Sequence, residues 1–175
     1  MKTGIIIPAR YKSSRYPGKP LISLGPKSMI EWVYGRCVEA LGEDSVWVAS
    51  DDERIFSHCE ERGLSYVKTS ESCLTGTDRV YEASKELGLD IAINVQGDEP
   101  LISPDDIKKV VKAGTENPNS ICNGYCPISS EEDFFSLTVP KVVFGPDGKL
   151  FYMSRAGIPG NKSGTFGFGY KQVCI

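Results

Sequence analysis

The sequence has few of the features that mark membrane, secreted or zinc-binding proteins. It contains one histidine, His58, and no apolar run near the ~20 residues that a membrane-spanning helix needs. The N-terminal apolar segment, residues 4–7, is too short for the core of a secretory signal. Of the six cysteines only Cys122 and Cys126 are close, and no second pair matches them. These absences favour a cytoplasmic protein with reduced cysteines and exclude a membrane span.

Charge and nucleotide-binding motifs narrow the function classes further. The formal net charge is −3 and there are no basic blocks, which argues against a general nucleic-acid binder. Neither a G-x-x-x-x-G-K-[ST] loop nor a G-x-G-x-x-G fingerprint occurs, so ordinary ATPase and dinucleotide-binding readings lose their support. With 175 residues and 40% hydrophobic content, the chain can form one sizeable core. We therefore predict a single α/β domain over residues 1–175.

Short apolar runs alternate with helix-length periodic segments along the chain. This alternation predicts a mostly parallel, doubly wound sheet. Strands are expected at residues 4–7, 46–49, 91–95, 121–126 and 142–144, and a hairpin turn at 146–148. Helix starts are expected at Ser28, Ser50, Thr77 and Ser103.

The C-terminal residues 172–175 (QVCI) have the character of a strand, and no closing helix follows them. The expectation is a domain that is incomplete at its C-terminus. Residues 173–175 would then form an exposed edge that is prone to self-association.

The loop after the first strand carries the first candidate site. Residues 8–20 (PARYKSSRYPGKP) hold four cations, namely Arg10, Lys12, Arg15 and Lys19. In an open α/β sheet, ligands bind beyond the carboxyl ends of the strands. Guanidinium and ammonium groups suit a triphosphate, although a solvated basic loop is the plainer alternative.

Two further segments carry polar chemistry. Asp98 lies in residues 94–100 (NVQGDEP), directly after a predicted internal strand, where a carboxylate can hold Mg²⁺ on phosphate oxygens. Gly97 beside it would permit close approach to the backbone. Gly76 and Thr77 precede a predicted helix, where they either bind a base or phosphate or simply cap the helix.

Five strings occur in an order that resembles a known family. They are IIPAR (6–10), SRYPGKPL (14–21), TGTDR (75–79), NVQGDEP (94–100) and MSR (153–155). Together they resemble the 3-deoxy-manno-octulosonate cytidylyltransferase (CMP-Kdo synthetase) family. The resemblance implies a Rossmann-like nucleotide-diphospho-sugar transferase fold, CTP as donor, Mg²⁺, a homodimer and a role in lipopolysaccharide synthesis.

The resemblance also implies roles for individual residues. Those expected to contact the nucleotide are Ala9, Arg10, Arg15, Lys19, Gly76, Thr77 and Arg79, with Arg15 and Arg79 as the weaker candidates. Gln96, Arg155 and Gln172 would face the sugar, and Asp98 would bind Mg²⁺. Arg10, Lys19 and Asp98 would support catalysis by offsetting phosphate charge. The family usually has a histidine where Gln172 stands, so the sugar is either Kdo or an amino variant.

The implied reaction is attack by the sugar's anomeric hydroxyl on the α-phosphorus of CTP, with release of pyrophosphate. No general base is evident, and His58 is expected on a helix surface. Two alternatives stay open: a CMP-sialic or related nonulosonic acid synthetase, and a non-catalytic nucleotide-binding module. Because the family's later segment supplies a second metal-binding aspartate, we expect this chain to bind CTP weakly and to turn over poorly.

Overall fold

The computed structural model describes residues 1–12, 16–173 and 175. It divides into two compact units, residues 1–122 with the C-terminal Ile175, and residues 123–173. This differs from the predicted single domain, because the segment after residue 122 forms a sheet of its own.

The first unit alternates strands with helices. In chain order these are β1 (Thr3–Pro8), β2 (Ser23–Leu24), β3 (Lys27–Ser28), α1 (Met29–Leu41), β4 (Val46–Ser50), α2 (Glu53–Arg62), β5 (Tyr66–Lys68), α3 (Gly76–Glu86), β6 (Ile91–Asn94) and α4 (Pro104–Glu116). Strands β5, β4, β1 and β6 lie side by side in that order and pair in parallel. The predicted parallel α/β sheet is confirmed.

The sheet is buried because helices cover both of its faces. The central residues Ile5, Ile6 and Ile7 of β1 are fully buried. Helix α3 packs Val80 and Ala83 into a cluster with Ile6, and side chains alternate along a strand, so Ile5 and Ile7 face the other side. Helices α1 and α4 contact each other and pack on the same strands. The strand order reverses between β5 and β6, which right-handed crossovers turn into helices on opposite faces.

Side chains at the helix starts explain where the helices begin. The predicted capping box of α1 is confirmed, with Ser28 and Glu31 bonded reciprocally. Thr77 was predicted to cap α3, but the cap is Thr75, which forms a capping box with Asp78. The correction follows from geometry, since only a residue outside the helical turn can accept from the third helical amide. Helix α2 begins after Asp52 rather than at Ser50.

The second unit is built on an antiparallel sheet. Its elements are β7 (Tyr125–Pro127), α5 (Glu131–Phe135), β8 (Lys141–Phe144), β9 (Leu150–Ser154) and β10 (Tyr170–Gln172). The strand order is β7-β10-β8-β9, and β8 and β9 form the predicted hairpin, with Gly148 at φ 79°. The strand predicted at 121–126 forms only at β7.

The predicted exposed edge near the C-terminus is also corrected. β10 pairs with β7 on one side and with β8 on the other, so its backbone groups are used within the sheet. The amide of Val173 continues this pairing by donating to the carbonyl of Gly124 at 2.8 Å. Among the helices that the structure describes, none combines the length and the apolar character needed to cross a membrane.

Candidate functional site

A pocket of about 510 Å³ opens at the carboxyl ends of β1 and β6. These neighbouring strands lie where the strand order reverses, which is the usual ligand position in open α/β sheets. The residues that line the pocket are Pro8, Arg10, Lys12, Lys19, Pro20, Gly76, Gln96, Gly97 and Asp98. The three segments singled out in the sequence therefore meet at one place in the first unit.

The lining is dominated by cations from the loop after β1. Arg10, Lys12 and Lys19 all reach the pocket, against a single carboxylate from Asp98. The guanidinium of Arg10 is steadied by a hydrogen bond from Nη2 to the carbonyl oxygen of Cys73, at 3.3 Å. The surplus of positive charge suits a polyanionic ligand.

Lys19 and Asp98 form an ion pair in the pocket. Their Nζ and Oδ2 atoms lie 2.6 Å apart, although the residues are 79 positions apart in sequence. The side chains keep 40% and 49% of their exposure, so the pair contributes little to stability. A phosphate group or a cation can therefore compete for either partner at small cost.

The turn after β6 brings its backbone very close to β1. A Cβ added at Gly97 would lie 3.1 Å from the carbonyl oxygen of Pro8. Glycine is thus required for the two strand ends to meet at the pocket floor. Gln96 lines the pocket from the same turn, and its Nε2 donates to Asn94 Oδ1 at 3.3 Å.

The N-terminus of α3 forms another wall through Gly76. A Cβ at Gly76 would stand 3.6 Å from the Pro8 ring and 3.9 Å from Gln96 Oε1. The capping box keeps Asp78 ionised, because hydrogen bonds from the side chain and the backbone of Thr75 hold the pKa of its carboxyl below the ordinary value. The first amides of a helix have no partner within the helix and carry its positive end, which favours acceptor groups of a ligand.

The loop that carries the lysines is fixed at its base by Tyr11. The amide of Gly18 donates to the carbonyl of Tyr11 at 2.8 Å, which closes residues 11–18 into a loop. The guanidinium of Arg54 stacks on the Tyr11 ring, with its Cζ 3.4 Å from the ring centroid. Arg54 in turn makes a bidentate pair with Asp52, at 2.8 and 2.7 Å, and this pairing lowers the pKa of Asp52.

Arg79 was predicted as a phosphate ligand, and the structure gives it an internal role instead. Its side chain is 1% exposed and pairs with Asp51 at 3.1 Å. It also donates to Thr69 Oγ1, which donates to the carbonyl of Ser50 at 2.9 Å. These contacts tie α3 to the ends of β4 and β5, because α3 turns this side chain inward toward the sheet.

Two predicted nucleotide contacts lie off the pocket lining. Ala9 is buried, and its amide donates to the carbonyl of Ala49 at 2.9 Å, so the extended β1 backbone places this residue in the core. Thr77 is exposed on the first turn of α3. Arg15 lies outside the described residues.

The two remaining predicted sugar ligands belong to the second unit. Arg155 donates through Nη1 to the carbonyls of Leu137 and Thr138, at 3.1 and 2.9 Å. Gln172 donates to Asn123 Oδ1 at 3.1 Å. Both side chains are thus held locally by their own sheet and its connections.

The histidine and the cysteines have structural surroundings. His58 is half-buried rather than on the surface, since its Nε2 lies 2.9 Å from Ser28 Oγ and 3.2 Å from Glu31 Oε2. Burial raises the pKa of the Cys37 and Cys59 thiols to about 12, which keeps them protonated. Within the described part of the chain, no group of three or more His, Cys, Asp or Glu side chains could form a metal cluster.

Lys12 is the pocket cation to which sequence analysis gave no role. It was visible among the loop cations, but only the fold shows that it reaches the pocket while Arg79 does not. Pro8 and Pro20 were likewise not assigned. Their signal was their place at the two ends of the cationic loop.

Comparisons with known proteins agree with this geometry. Residues 4–171 match the family model described as cytidylyltransferase. The chain is 42% identical to 3-deoxy-manno-octulosonate cytidylyltransferase of Desulfatibacillum aliphaticivorans, over all of this chain and 74% of that protein. It is also 42% identical to 8-amino-3,8-dideoxy-manno-octulosonate cytidylyltransferase of Shewanella sp. strain ANA-3, over 91% of this chain and 67% of that protein.

A solved structure of CMP:2-keto-3-deoxy-manno-octonic acid synthetase, complexed with CTP, superposes with a TM-score of 0.90 at 36% identity. The superposition covers 99% of this chain and 72% of that one. The predicted nucleotide-diphospho-sugar transferase fold is confirmed by this match.

Proposed function

Because the chain belongs to the cytidylyltransferase family, we propose that it transfers the CMP group of CTP to an acidic sugar of the 3-deoxy-manno-octulosonate class. The observation that carries the proposal is the pocket at the switch point of the sheet, where three cations and one carboxylate converge. The anomeric oxygen of the sugar bonds to the α-phosphorus. The bond from that phosphorus to the β-phosphate bridging oxygen breaks, pyrophosphate leaves, and the hydroxyl proton passes to solvent.

The chain's own residues contribute binding and charge compensation. Arg10, Lys12 and Lys19 line one side of the pocket and would hold the triphosphate. Fixed cations stabilise charge on a leaving pyrophosphate without reorganising during the reaction. The Lys19–Asp98 pair is half exposed, so Lys19 can turn to a phosphate oxygen at little cost.

For the base, we propose that cytosine lies against Gly76 at the start of α3. The absence of a side chain leaves room there, and exposed helix amides offer donors to the acceptor edge of cytosine. Calorimetry with CTP, UTP, ATP and GTP tests the assignment. CTP should bind at least tenfold more tightly than the others, and equal affinity for all four would contradict base recognition.

For the metal, we propose Mg²⁺ held by Asp98 together with phosphate oxygens. A single exposed carboxylate fits this ion, because Mg²⁺ is commonly bound through one or two carboxylates plus substrate phosphates. The ion would offset phosphate charge when bound. Asp98→Asn should abolish the gain in CTP affinity that MgCl₂ gives, whereas Glu99→Gln, one residue further along the same turn, should keep it. Loss of the gain in both variants, or in neither, would contradict the assignment.

For the sugar, we propose Kdo or its 8-amino variant, with Gln96 in the pocket and Arg155 and Gln172 as further ligands. The supporting observation is that the relatives named above act on these two sugars. Pyrophosphate release is measured with CTP and each of Kdo, 8-amino-Kdo and N-acetylneuraminate. One of the octulosonates should give the highest rate, and a higher rate with N-acetylneuraminate would favour a sialic acid synthetase.

We also propose that the protein supplies activated sugar to lipopolysaccharide synthesis in the cytoplasm. The five cysteines whose surroundings are described are free thiols, as expected in a reducing compartment. The family assignment supports the pathway.

The second unit supports a homodimer. Strand β9 is an edge strand, and Leu150, Phe151 and Tyr152 on it are 54%, 70% and 60% exposed. An apolar edge of this kind pairs readily with another strand, and we propose a second copy as the partner. Light scattering should show a dimer that Tyr152→Lys converts to monomer. Tyr81→Lys, which changes a 64% exposed tyrosine on α3, should leave the mass unchanged.

A further inference from the structure

We infer that Tyr11, held by Arg54, positions both pocket lysines and thereby sets the affinity of the pocket for phosphate groups. Tyr11 itself does not line the pocket, but each residue that it fixes is followed directly by one that does. Lys12 follows Tyr11 in the chain, and Lys19 follows Gly18. One aromatic ring therefore determines where two cations begin.

The contacts of the ring are close and come from two directions. At its hydroxyl end, a Cβ added at Gly18 would lie 3.2 Å from the ring, so the backbone of Gly18 rests against it. On its face lies the Arg54 guanidinium, 3.4 Å from the centroid. The hydrogen bond from Gly18 to the Tyr11 carbonyl, at 2.8 Å, joins the two ends of the loop.

Arg54 can hold the ring because it is itself held. Asp52 binds its guanidinium through both carboxylate oxygens and also accepts from its backbone amide at 3.1 Å. Asp52 is the N-cap of α2, which fixes this carboxylate to the first unit. The chain of contacts thus runs from α2 through Arg54 and Tyr11 to the two lysines.

This arrangement has a consequence that general stabilisation of the fold does not have. Displacing two lysines weakens a ligand in proportion to the phosphates that they contact, and it leaves the rest of the ligand's contacts in place. The inference rests on the proposed function only in requiring a ligand that bears phosphate. It is therefore tested with CTP, CMP and inorganic tripolyphosphate, by calorimetry on the full chain.

Tyr11→Leu and Arg54→Ala should each weaken CTP and tripolyphosphate by about five- to tenfold, while CMP changes less than about twofold. Tyr11→Phe keeps the ring and should stay within about twofold of wild type for all three ligands. The matched control is Lys68→Ala, which removes another cation over a ring, 4.8 Å from the Phe56 centroid, together with an ion pair to Glu53 on the same helix. It should change no ligand affinity.

Equal weakening of CMP and CTP, or unchanged CTP affinity in Tyr11→Leu, would overturn the inference. So would an effect of Lys68→Ala as large as that of Arg54→Ala. Wild-type protein that binds tripolyphosphate without preferring CTP would contradict the proposed function alone, and the variants would still test the positioning role. Binding of neither ligand by wild type would overturn both.

Discussion

Replacing Arg79 by methionine distinguishes the structural role of this residue from the phosphate-binding role that its sequence motif implied. The change keeps the length of the side chain and removes its charge. Two charge-assisted contacts disappear, one to Asp51 and one to Thr69, each contributing about 1.5–3 kcal/mol. Within the described residues the Arg79 Nε finds no hydrogen-bond partner, so removing it recovers about 1–2 kcal/mol.

Asp51 stays 20% exposed and can recover some hydration once its partner is gone. We therefore expect Arg79→Met to lower the free energy of unfolding by about 2–4 kcal/mol. The measurement is urea unfolding followed by tryptophan fluorescence, which Trp47 reports because it packs against the cluster beneath α3. The control is Arg62→Met, on a side chain that is 54% exposed, where the loss should be under about 0.5 kcal/mol.

A double-mutant cycle with Asp51→Asn completes the test. Because the two side chains contact each other, the double variant should lose clearly less than the sum of the single losses. A loss under about 1 kcal/mol in Arg79→Met, together with much weaker CTP binding, would refute the structural role and restore the phosphate-binding one.

Three further outcomes are expected. Thr75→Ala should lower the free energy of unfolding by about 1 kcal/mol and Thr77→Ala by much less, measured in the same urea assay, because only the first caps α3; equal losses would contradict the assigned cap. Gly97→Ala should cost about 1–3 kcal/mol and abolish CTP binding in calorimetry, since its Cβ would meet the Pro8 carbonyl at 3.1 Å; normal binding would show that the strand ends can separate. Burial alone would raise the pKa of Glu31, but hydrogen bonds within the α1 cap outweigh it and lower the pKa below the ordinary 4.5. A depressed carboxyl pKa stabilises the fold above the unfolded-state value, so stability should fall as pH drops below about 4.5, and Glu31→Gln should flatten that fall between pH 3 and 5; an unchanged pH profile would contradict it.

Residues close together in the chain decided what could be predicted from sequence. The β1 and β6 segments, the Ser28–Glu31 capping box and the hairpin at 146–148 all followed from patterns a few residues long. Such patterns encode backbone hydrogen bonding and alternation of buried side chains, which depend on near neighbours. The Thr77 cap failed for the same local reason, because a shift of two residues along a polar run changes which hydroxyl lies outside the helix.

The sequence by itself determined that the cationic loop and the Asp98 turn would follow strands of a parallel sheet, and hence meet at its carboxyl edge. Only the tertiary structure decided which side chains reach the pocket. Lys19 meets Asp98 across 79 residues, whereas Arg79, in an equally suggestive motif, is drawn inward by Asp51. The physical reason is that a charged side chain goes wherever burial can be offset by a partner, and that partner lies on another strand whose position no local pattern contains.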